Sequence, residues 1–141
     1  MKVSFCYPSG LRQELCSADA FEALVATLTE QDWLAGSGTA GIDVGDGAAY
    51  LTITKAPGDR RFMLVNADGP GEDEYVRVTS RTCTSPVVVY IGGNRTIFPV
   101  EFFSGTDDLT WAAQALIEHG RIERDEHWVI LHQQEWPGMD E

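Results

Sequence analysis

The chain has 141 residues, with 22 acidic against 10 basic side chains and a formal net charge of −12. Phosphate contacts require lysine and arginine, so this balance disfavours direct binding to nucleic acid and to an anionic membrane surface. The length suits one domain, 1–141, and 43% hydrophobic residues are typical of a globular protein. The negative charge has two interpretations: it keeps the protein soluble, or it attracts a partner with a basic surface.

The cysteines and the N-terminal segment bear on cellular location. Cys6, Cys16 and Cys83 form no CxxC pair, which argues against a disulfide framework and fits a reducing cytosol. The N-terminal apolar stretch is very short and is cut by Pro8, so no signal peptide is predicted. No apolar run approaches the roughly 20 residues that a membrane helix needs. A cytoplasmic location is expected.

The first third of the chain predicts a strand, a helix and a loop. Residues 3–7 are apolar and β-prone, and predict the first strand. A helix is predicted over 17–32, with Ser17 as its N-cap and an apolar stripe at positions 21, 24, 25 and 28. Residues 34–49 are rich in glycine and predict a connector.

Strands dominate the middle of the chain. Alternating polarity between tight turns predicts strands at 49–54, 61–66 and 74–80. The continuous apolar run 87–91 is typical of a central strand. A glycine pair at 92–93 then predicts a hairpin turn to 95–98. Short strands joined by tight turns favour an antiparallel sheet.

The last elements are a helix and a strand. The helix is predicted over 107–119, with Thr106 or Asp107 as its cap and Gly120 ending it in a left-handed conformation. The final strand is predicted at 127–132, followed by a frayed tail. The elements together predict an α+β fold: a single antiparallel sheet of about six strands with two helices packed on it.

Two motifs resemble ligand sites and are better explained structurally. His127 and His132 are five residues apart on a predicted strand, so their side chains face opposite sides of the sheet and no metal site is expected there. The stretch 116–128, which includes His119, is predicted to link a helix to a strand, with Trp128 as a packing anchor. The glycine pattern 36–41 matches G-x-G-x-x-G, but a dinucleotide site needs a strand before it and a helix after it. A loop is predicted instead, with no cofactor.

The remaining candidates are one cysteine and two acidic clusters. Cys83 lies near Arg81, but nothing places a histidine beside it, so a half-buried cysteine at a strand end is favoured over a nucleophile. Asp107 and Asp108 suit a helix start. The cluster 72–74 falls in a turn and is explained by a solvated surface or by a partner interface.

The stretch 87–128 resembles the C-terminal half of the Imm-one immunity family of bacterial polymorphic toxin systems. The residues that carry the resemblance are Tyr90, Gly92, Gly93, Phe98, Pro99, Ala112, Ala113, Gly120 and Trp128. After Gly120 this chain departs from the family pattern, in which a proline-containing link is common. The resemblance implies an inhibitor, not an enzyme, made beside a toxin that it binds inside the producing cell. In that family the toxins are often nucleic-acid deaminases.

On this interpretation the protein is a monomer or weak dimer that binds a cognate toxin with a basic surface. The acidic candidates for the interface are Asp43, Asp46, Glu72, Asp73 and Glu74. Trp33 is the candidate aromatic anchor, with core packing as its alternative role. Two other functions stay open: a small ligand-binding or scaffold domain, and a small hydrolase using Cys83 or a histidine.

Overall fold

In the part of the chain that the structure describes, the main sheet is antiparallel and has eight strands. The structure, a computed structural model, describes residues 2–139. The sheet strands are β1 (Val3–Cys6), β2 (Arg12–Glu14), β3 (Ala40–Val44), β4 (Ala49–Lys55), β5 (Phe62–Ala67), β6 (Tyr75–Arg77), β9 (Phe103–Ser104) and β10 (Trp128–Ile130). Their order is β10-β6-β5-β4-β3-β1-β2, and β9 pairs with β5. A separate hairpin contains β7 (Pro86–Ile91) and β8 (Asn94–Pro99).

Three α-helices accompany the strands: α1 (Ala18–Thr27), α2 (Glu30–Leu34) and α3 (Thr106–His119). Ser17 caps α1 as predicted, its hydroxyl accepting from the Ala20 amide at 3.1 Å. The single helix predicted over 17–32 is wrong, because the Thr29 side chain accepts from the Asp32 amide and starts a new helix with a capping box. Short 3-10 turns lie at Val100–Phe102 and Leu131–Gln133.

The second predicted helix is confirmed, with one correction at its start. Its N-cap is Gly105, without a side-chain hydrogen bond, so neither Thr106 nor Asp107 caps it. Gly120 ends it at φ 75°, in the predicted left-handed conformation. Helices α1 and α3 pack against each other and on one face of the sheet.

The sheet buries its two faces differently. The face under the helices carries the larger core, which includes Phe5, Phe21, Ile42, Leu51, Ile53, Phe62, Leu64, Leu116 and Trp128. The opposite face is covered along β5, β6 and β10 by the β7–β8 hairpin, in a second cluster that includes Met63, Val65, Val76, Val89 and Phe98. Along β1 to β4 this opposite face is polar, and Cys6, Asp43, Tyr50 and Thr52 line a groove on it.

The expectation of a single sheet is therefore wrong in two respects, although the α+β class is confirmed. The run 87–91, expected to be a central strand, belongs to the separate hairpin, where Val89 is its buried member. The run is apolar because the hairpin packs on the second face of the sheet. A continuous apolar run of this length is equally compatible with a central strand, so the sequence pattern could not separate the two. The main sheet also has more strands than the six expected.

Within the described residues, three strands lie where the sequence predicted none. The connector 34–49 contains β3, which pairs with β1 on one side and β4 on the other. Gly41 in β3 is a packing glycine, since a Cβ there would lie 2.4 Å from the Leu51 carbonyl oxygen. The other two are β2, whose residues are all polar and exposed, and the two-residue β9, which pairs with β5.

The C-terminal segment is more ordered than predicted. The strand expected at 127–132 ends at Ile130 and turns into a 3-10 helix, and that expected at 74–80 spans only Tyr75–Arg77. The prediction of a frayed tail is wrong for the described residues. The Trp136 indole donates to the Ile97 carbonyl oxygen at 2.7 Å and packs on Phe98. Residues 140 and 141 of that tail lie outside the described residues.

Candidate functional site

Loops rich in acidic residues meet at one end of the main sheet. In the antiparallel ladders Val44 pairs with Ala49, and Tyr50 pairs with Ala67, so the β3–β4 turn (45–48) and the β5–β6 loop (68–74) leave the same sheet end. A Cβ on Gly69 would lie 3.7 Å from the Ala48 carbonyl oxygen. We call residues 45–48 and 68–74 the acidic end.

The acidic end brings together most of the sequence-predicted interface. Asp46 is exposed in the turn, and Glu72, Asp73 and Glu74 are exposed in the neighbouring loop. Asp68, which sequence reasoning had not selected, is exposed at the start of that loop. Carboxylates from two separate segments thus form one negatively charged surface.

Two side chains, Tyr50 and Arg124, fix the base of the acidic end. The Tyr50 hydroxyl donates to a Glu74 carboxylate oxygen at 3.0 Å. The Arg124 guanidinium donates to Asn66 Oδ1 at 2.6 Å and to Asp68 Oδ2 at 2.9 Å, and lies 4.0 Å from the centroid of the Tyr75 ring. Burial, followed by the Glu74 hydrogen bond and charge, raises the pKa of Tyr50 to about 12.

Asp43 is separated from the loop carboxylates. It lies on β3 and forms an ion pair with Arg12 of β2, and its side chain is only 20% exposed. Both residues line a polar groove of about 300 Å³ on the polar face of strands β1 to β4, together with Cys6, Tyr50 and Thr52. Burial, followed by the charge of Asp43, raises the pKa of Cys6, which keeps its thiol protonated.

Trp33 does not present the anchor surface that was predicted. It is 5% exposed and packs at 6.2 Å between ring centroids on Phe62, so its alternative role in the core is the one it has. The short helix α2 directs it inward. Trp111 on α3 is 43% exposed, with the Arg77 guanidinium carbon 5.7 Å from its ring centroid. The available signal was its position outside the apolar stripe of α3.

A groove of about 510 Å³ runs along α3 beside Trp111. Its other lining residues are Gln114, Ala115, Glu118, His119, Arg121 and Glu123. The chain continues directly from Glu123 to Arg124, which binds the base of the acidic end. The groove that the Trp111 indole lines therefore ends next to the residue that holds the base of the acidic end.

The candidate metal and nucleophile positions are dispersed. His119 and His127 are near Glu118 at 4.0 Å and Glu126 at 3.9 Å respectively, both with exposed side chains. Within residues 2–139, no group of three or more His, Cys, Asp or Glu side chains is arranged to hold a metal ion. In the same range, no helix has the length and apolar character needed to cross a membrane.

Cys83 has the opposite electrostatics from a catalytic thiol. Burial and the charge of Glu101 raise its pKa. Arg81, its cationic neighbour in sequence, donates instead to the Glu126 carbonyl oxygen at 2.7 Å. A nucleophilic cysteine requires surroundings that lower the pKa, so this environment favours the structural role.

The glycine-rich segment 36–41 serves packing in this fold. Gly36 and Gly38 have φ values of 58° and 76°, and a Cβ on either would lie 2.1 Å from the carbonyl oxygen of Pro8 or Tyr90 respectively. The segment leads into β3 and not into a helix. Its backbone joins the β1–β2 turn to the tip of the hairpin.

No protein-family model matches the chain, and neither the curated proteins nor the solved structures contain a match to it. The surface chemistry described above is therefore the basis on which a function is assigned.

Proposed function

We propose that this protein is an immunity protein that binds a cognate toxin with a basic surface and occludes its active site or substrate groove. The observation that carries the proposal is the meeting of acidic loops from two segments at one sheet end. The exposed tryptophan of α3, Trp111, is the proposed anchor. The proposal extends the resemblance of residues 87–128 to the Imm-one immunity family. It places the protein in the cytoplasm of the cell that makes the toxin.

Electrostatics supports a basic partner. The chain has a formal charge of −12, and exposed Asp46, Glu72 and Asp73 concentrate part of it at the acidic end. Within the described residues, none of these three forms an ion pair, so their charges are free to act on a partner. A toxin that acts on nucleic acid, such as a deaminase, needs a cationic groove, and opposite charges accelerate its encounter with the inhibitor.

Rim carboxylates supply little affinity by themselves, so the proposed interface also needs a buried anchor. Trp111 replaces Trp33 in that role. Its indole is 43% exposed and lines a groove of about 510 Å³, together with Ala115 and several polar side chains. Tryptophan is among the side chains most enriched at interface positions that dominate binding energy.

The second candidate function is a small ligand-binding domain, favoured by the polar groove on the polar face of strands β1 to β4. Arg12 and Asp43 offer a cation and an anion within about 300 Å³. Their mutual ion pair already occupies much of that hydrogen-bonding capacity. The immunity proposal uses more of the charged surface and is therefore preferred.

The decisive experiment is co-purification with the product of the adjacent upstream gene. The immunity proposal predicts a stoichiometric complex with that product, and loss of the toxin's activity when the complex forms. Trp111→Ala is expected to weaken the complex, while Trp136→Phe, which changes an indole in the second core cluster, is the control. A folded parent protein that does not bind the neighbouring gene product would contradict the proposal.

A further inference from the structure

The main sheet ends in an unpaired strand. Among residues 2–139, β2 is the last strand in the sheet order and pairs with β1 alone. All three of its residues, Arg12–Glu14, are exposed. Unpaired edges offer backbone donors and acceptors to another strand, and proteins commonly shorten or charge them to control such pairing.

The hydrogen bonds of β1 fix which groups of β2 point outward. The Leu15 amide donates to the Val3 carbonyl oxygen, and the Tyr7 amide donates to the Leu11 carbonyl oxygen, each at 2.9 Å. Antiparallel ladders alternate, so residue 13 faces β1 in the same way as residues 11 and 15. The backbone N–H and C=O groups of Arg12 and Glu14 consequently point away from the sheet.

The side chains on this edge are self-complementary. Arg12 and Glu14 are opposite Cys6 and Ser4 in the β1 ladder, so both side chains lie on the polar face of the sheet. In an antiparallel pair of two β2 strands centred on Gln13, Arg12 of each copy is opposite Glu14 of the other. These are also the residues whose backbone groups point outward.

We propose that a second copy of this chain pairs with β2 across a twofold axis at Gln13, extending the sheet through both subunits. Each Arg12–Glu14 cross-strand pair would combine backbone hydrogen bonds with an ion pair between side chains. Because Arg12 already pairs with Asp43 of its own subunit, its guanidinium would bridge Asp43 and Glu14 of the other copy. The same register places Leu11, which is 68% exposed, opposite Leu15 of the other copy, which is 4% exposed and belongs to the core of its own subunit. A twofold contact requires a surface that matches itself, and this short segment does.

The dimer is weak and reversible, because so short a strand pair buries far less than a standard interface. Each subunit carries a charge of −12, so long-range repulsion opposes association at low ionic strength. At physiological salt, charges separated by more than about 8 Å are largely screened. The local Arg12–Glu14 attraction then outweighs repulsion between distant carboxylates.

Analytical ultracentrifugation of the purified full chain at physiological ionic strength, from micromolar to millimolar concentration, tests this inference. The parent protein is expected to show a monomer–dimer equilibrium. Glu14→Arg places arginine opposite arginine and is expected to weaken the dimer at least about tenfold, the equivalent of 1.4 kcal/mol. The double variant Arg12→Glu/Glu14→Arg restores opposite charges and is expected to recover dimerisation.

Matched variants separate this contact from a change in net charge. Asp59→Arg makes the same charge change on an exposed turn away from β2, and is expected to leave dimerisation unchanged. Glu14→Pro removes an outward amide without removing a β1 hydrogen bond, and is expected to abolish the dimer. Circular dichroism melting verifies that each variant is folded.

Three results would overturn the inference. The first is a parent protein that stays monomeric up to millimolar concentration, which would leave the charged edge as protection against strand pairing. The second is a dimer insensitive to Glu14→Pro. The third is failure of the folded double variant to dimerise when the parent does. The inference is independent of the toxin proposal, because the test requires no partner other than the chain itself.

Discussion

The hydroxyl of Tyr50 donates to the Glu74 carboxylate at 3.0 Å and joins strand β4 to the acidic loop. The bond spans 24 positions in the sequence and fixes one end of a loop whose other carboxylates are exposed. A loop held in this way loses less conformational freedom on binding, which favours affinity. Tyr50 therefore supports the acidic end without belonging to its exposed surface.

Tyr50 is expected to ionise only in strongly alkaline solution. Its pKa is raised from 10.0 to about 12, so the folded state holds the phenol proton more tightly than the unfolded state does. The resulting stabilisation is fully present below pH 10.0 and is lost as the pH rises through about 12. The difference in tyrosinate absorbance between the parent and Tyr50→Phe, recorded by stopped flow before unfolding, is expected to have its midpoint near 12. A midpoint at the ordinary value would refute the burial of this hydroxyl against Glu74.

Truncation of Trp33 is expected to lower the stability of the fold much more than truncation of Trp111. Trp33→Ala removes a buried side chain and is expected to lower the free energy of unfolding by about 3–5 kcal/mol. Trp111→Ala removes a half-exposed ring stacked on Arg77 and is expected to cost under about 1 kcal/mol. Urea denaturation of both variants measures the contrast. Equal losses would show that α3 depends on Trp111 for its packing.

Arg124 is expected to stabilise the fold through a buried amide. Arg124→Ala leaves Oδ1 of the fully buried Asn66 without its donor, which is expected to cost about 1–3 kcal/mol. Arg121→Ala is the matched control, because that side chain is 66% exposed and is expected to change stability by less than about 0.5 kcal/mol. The comparison uses the free energy of unfolding in urea. Similar values for both variants would contradict the role given to Arg124.

Gly38 and Gly58 test the packing of the glycine-rich segment. Both have positive φ, but a Cβ at position 38 would lie 2.1 Å from the Tyr90 carbonyl oxygen, whereas position 58 has open space. Both substitutions by alanine carry the cost of the left-handed backbone, about 1 kcal/mol. Gly38→Ala is expected to add displacement of the hairpin and lower the melting temperature clearly more than Gly58→Ala. Equal shifts would place the segment away from the hairpin.

Periodicity predicted those elements whose local pattern matches their packing. Helix α3 has a strong apolar stripe and a terminal glycine, and its range was predicted almost completely. The polar strand β2 lacks any apolar residue, and its pairing with β1 comes from the turn at 7–11 that brings the two strands together. The glycine-rich sequence around Gly41 in β3 predicted a loop. In the structure this glycine allows the backbone of β3 to pack closely against Leu51.

Most of the acidic residues of the candidate site were predicted from the sequence, but their pairing and relative positions were not. Charge alone selected Asp43 and Asp46 equally, yet one is paired with Arg12 across strands and the other is exposed in a turn. Such pairing depends on strand order, which the sequence pattern does not determine. Whether a helical tryptophan such as Trp33 or Trp111 is buried depends on which side of its helix faces the sheet. Helix α2 has only five residues, too few for an apolar periodicity to show which of its sides is buried.

The central claim is that the acidic end recognises a basic toxin. The most direct test replaces Glu72, Asp73 and Glu74 together by serine and measures the association rate with the product of the adjacent upstream gene at low and high salt. We predict a slower association and a weaker salt dependence than in the parent, because steering by these charges is lost while the dissociation rate changes less. An association rate and a salt dependence that both equal those of the parent would show that this loop is not the interface.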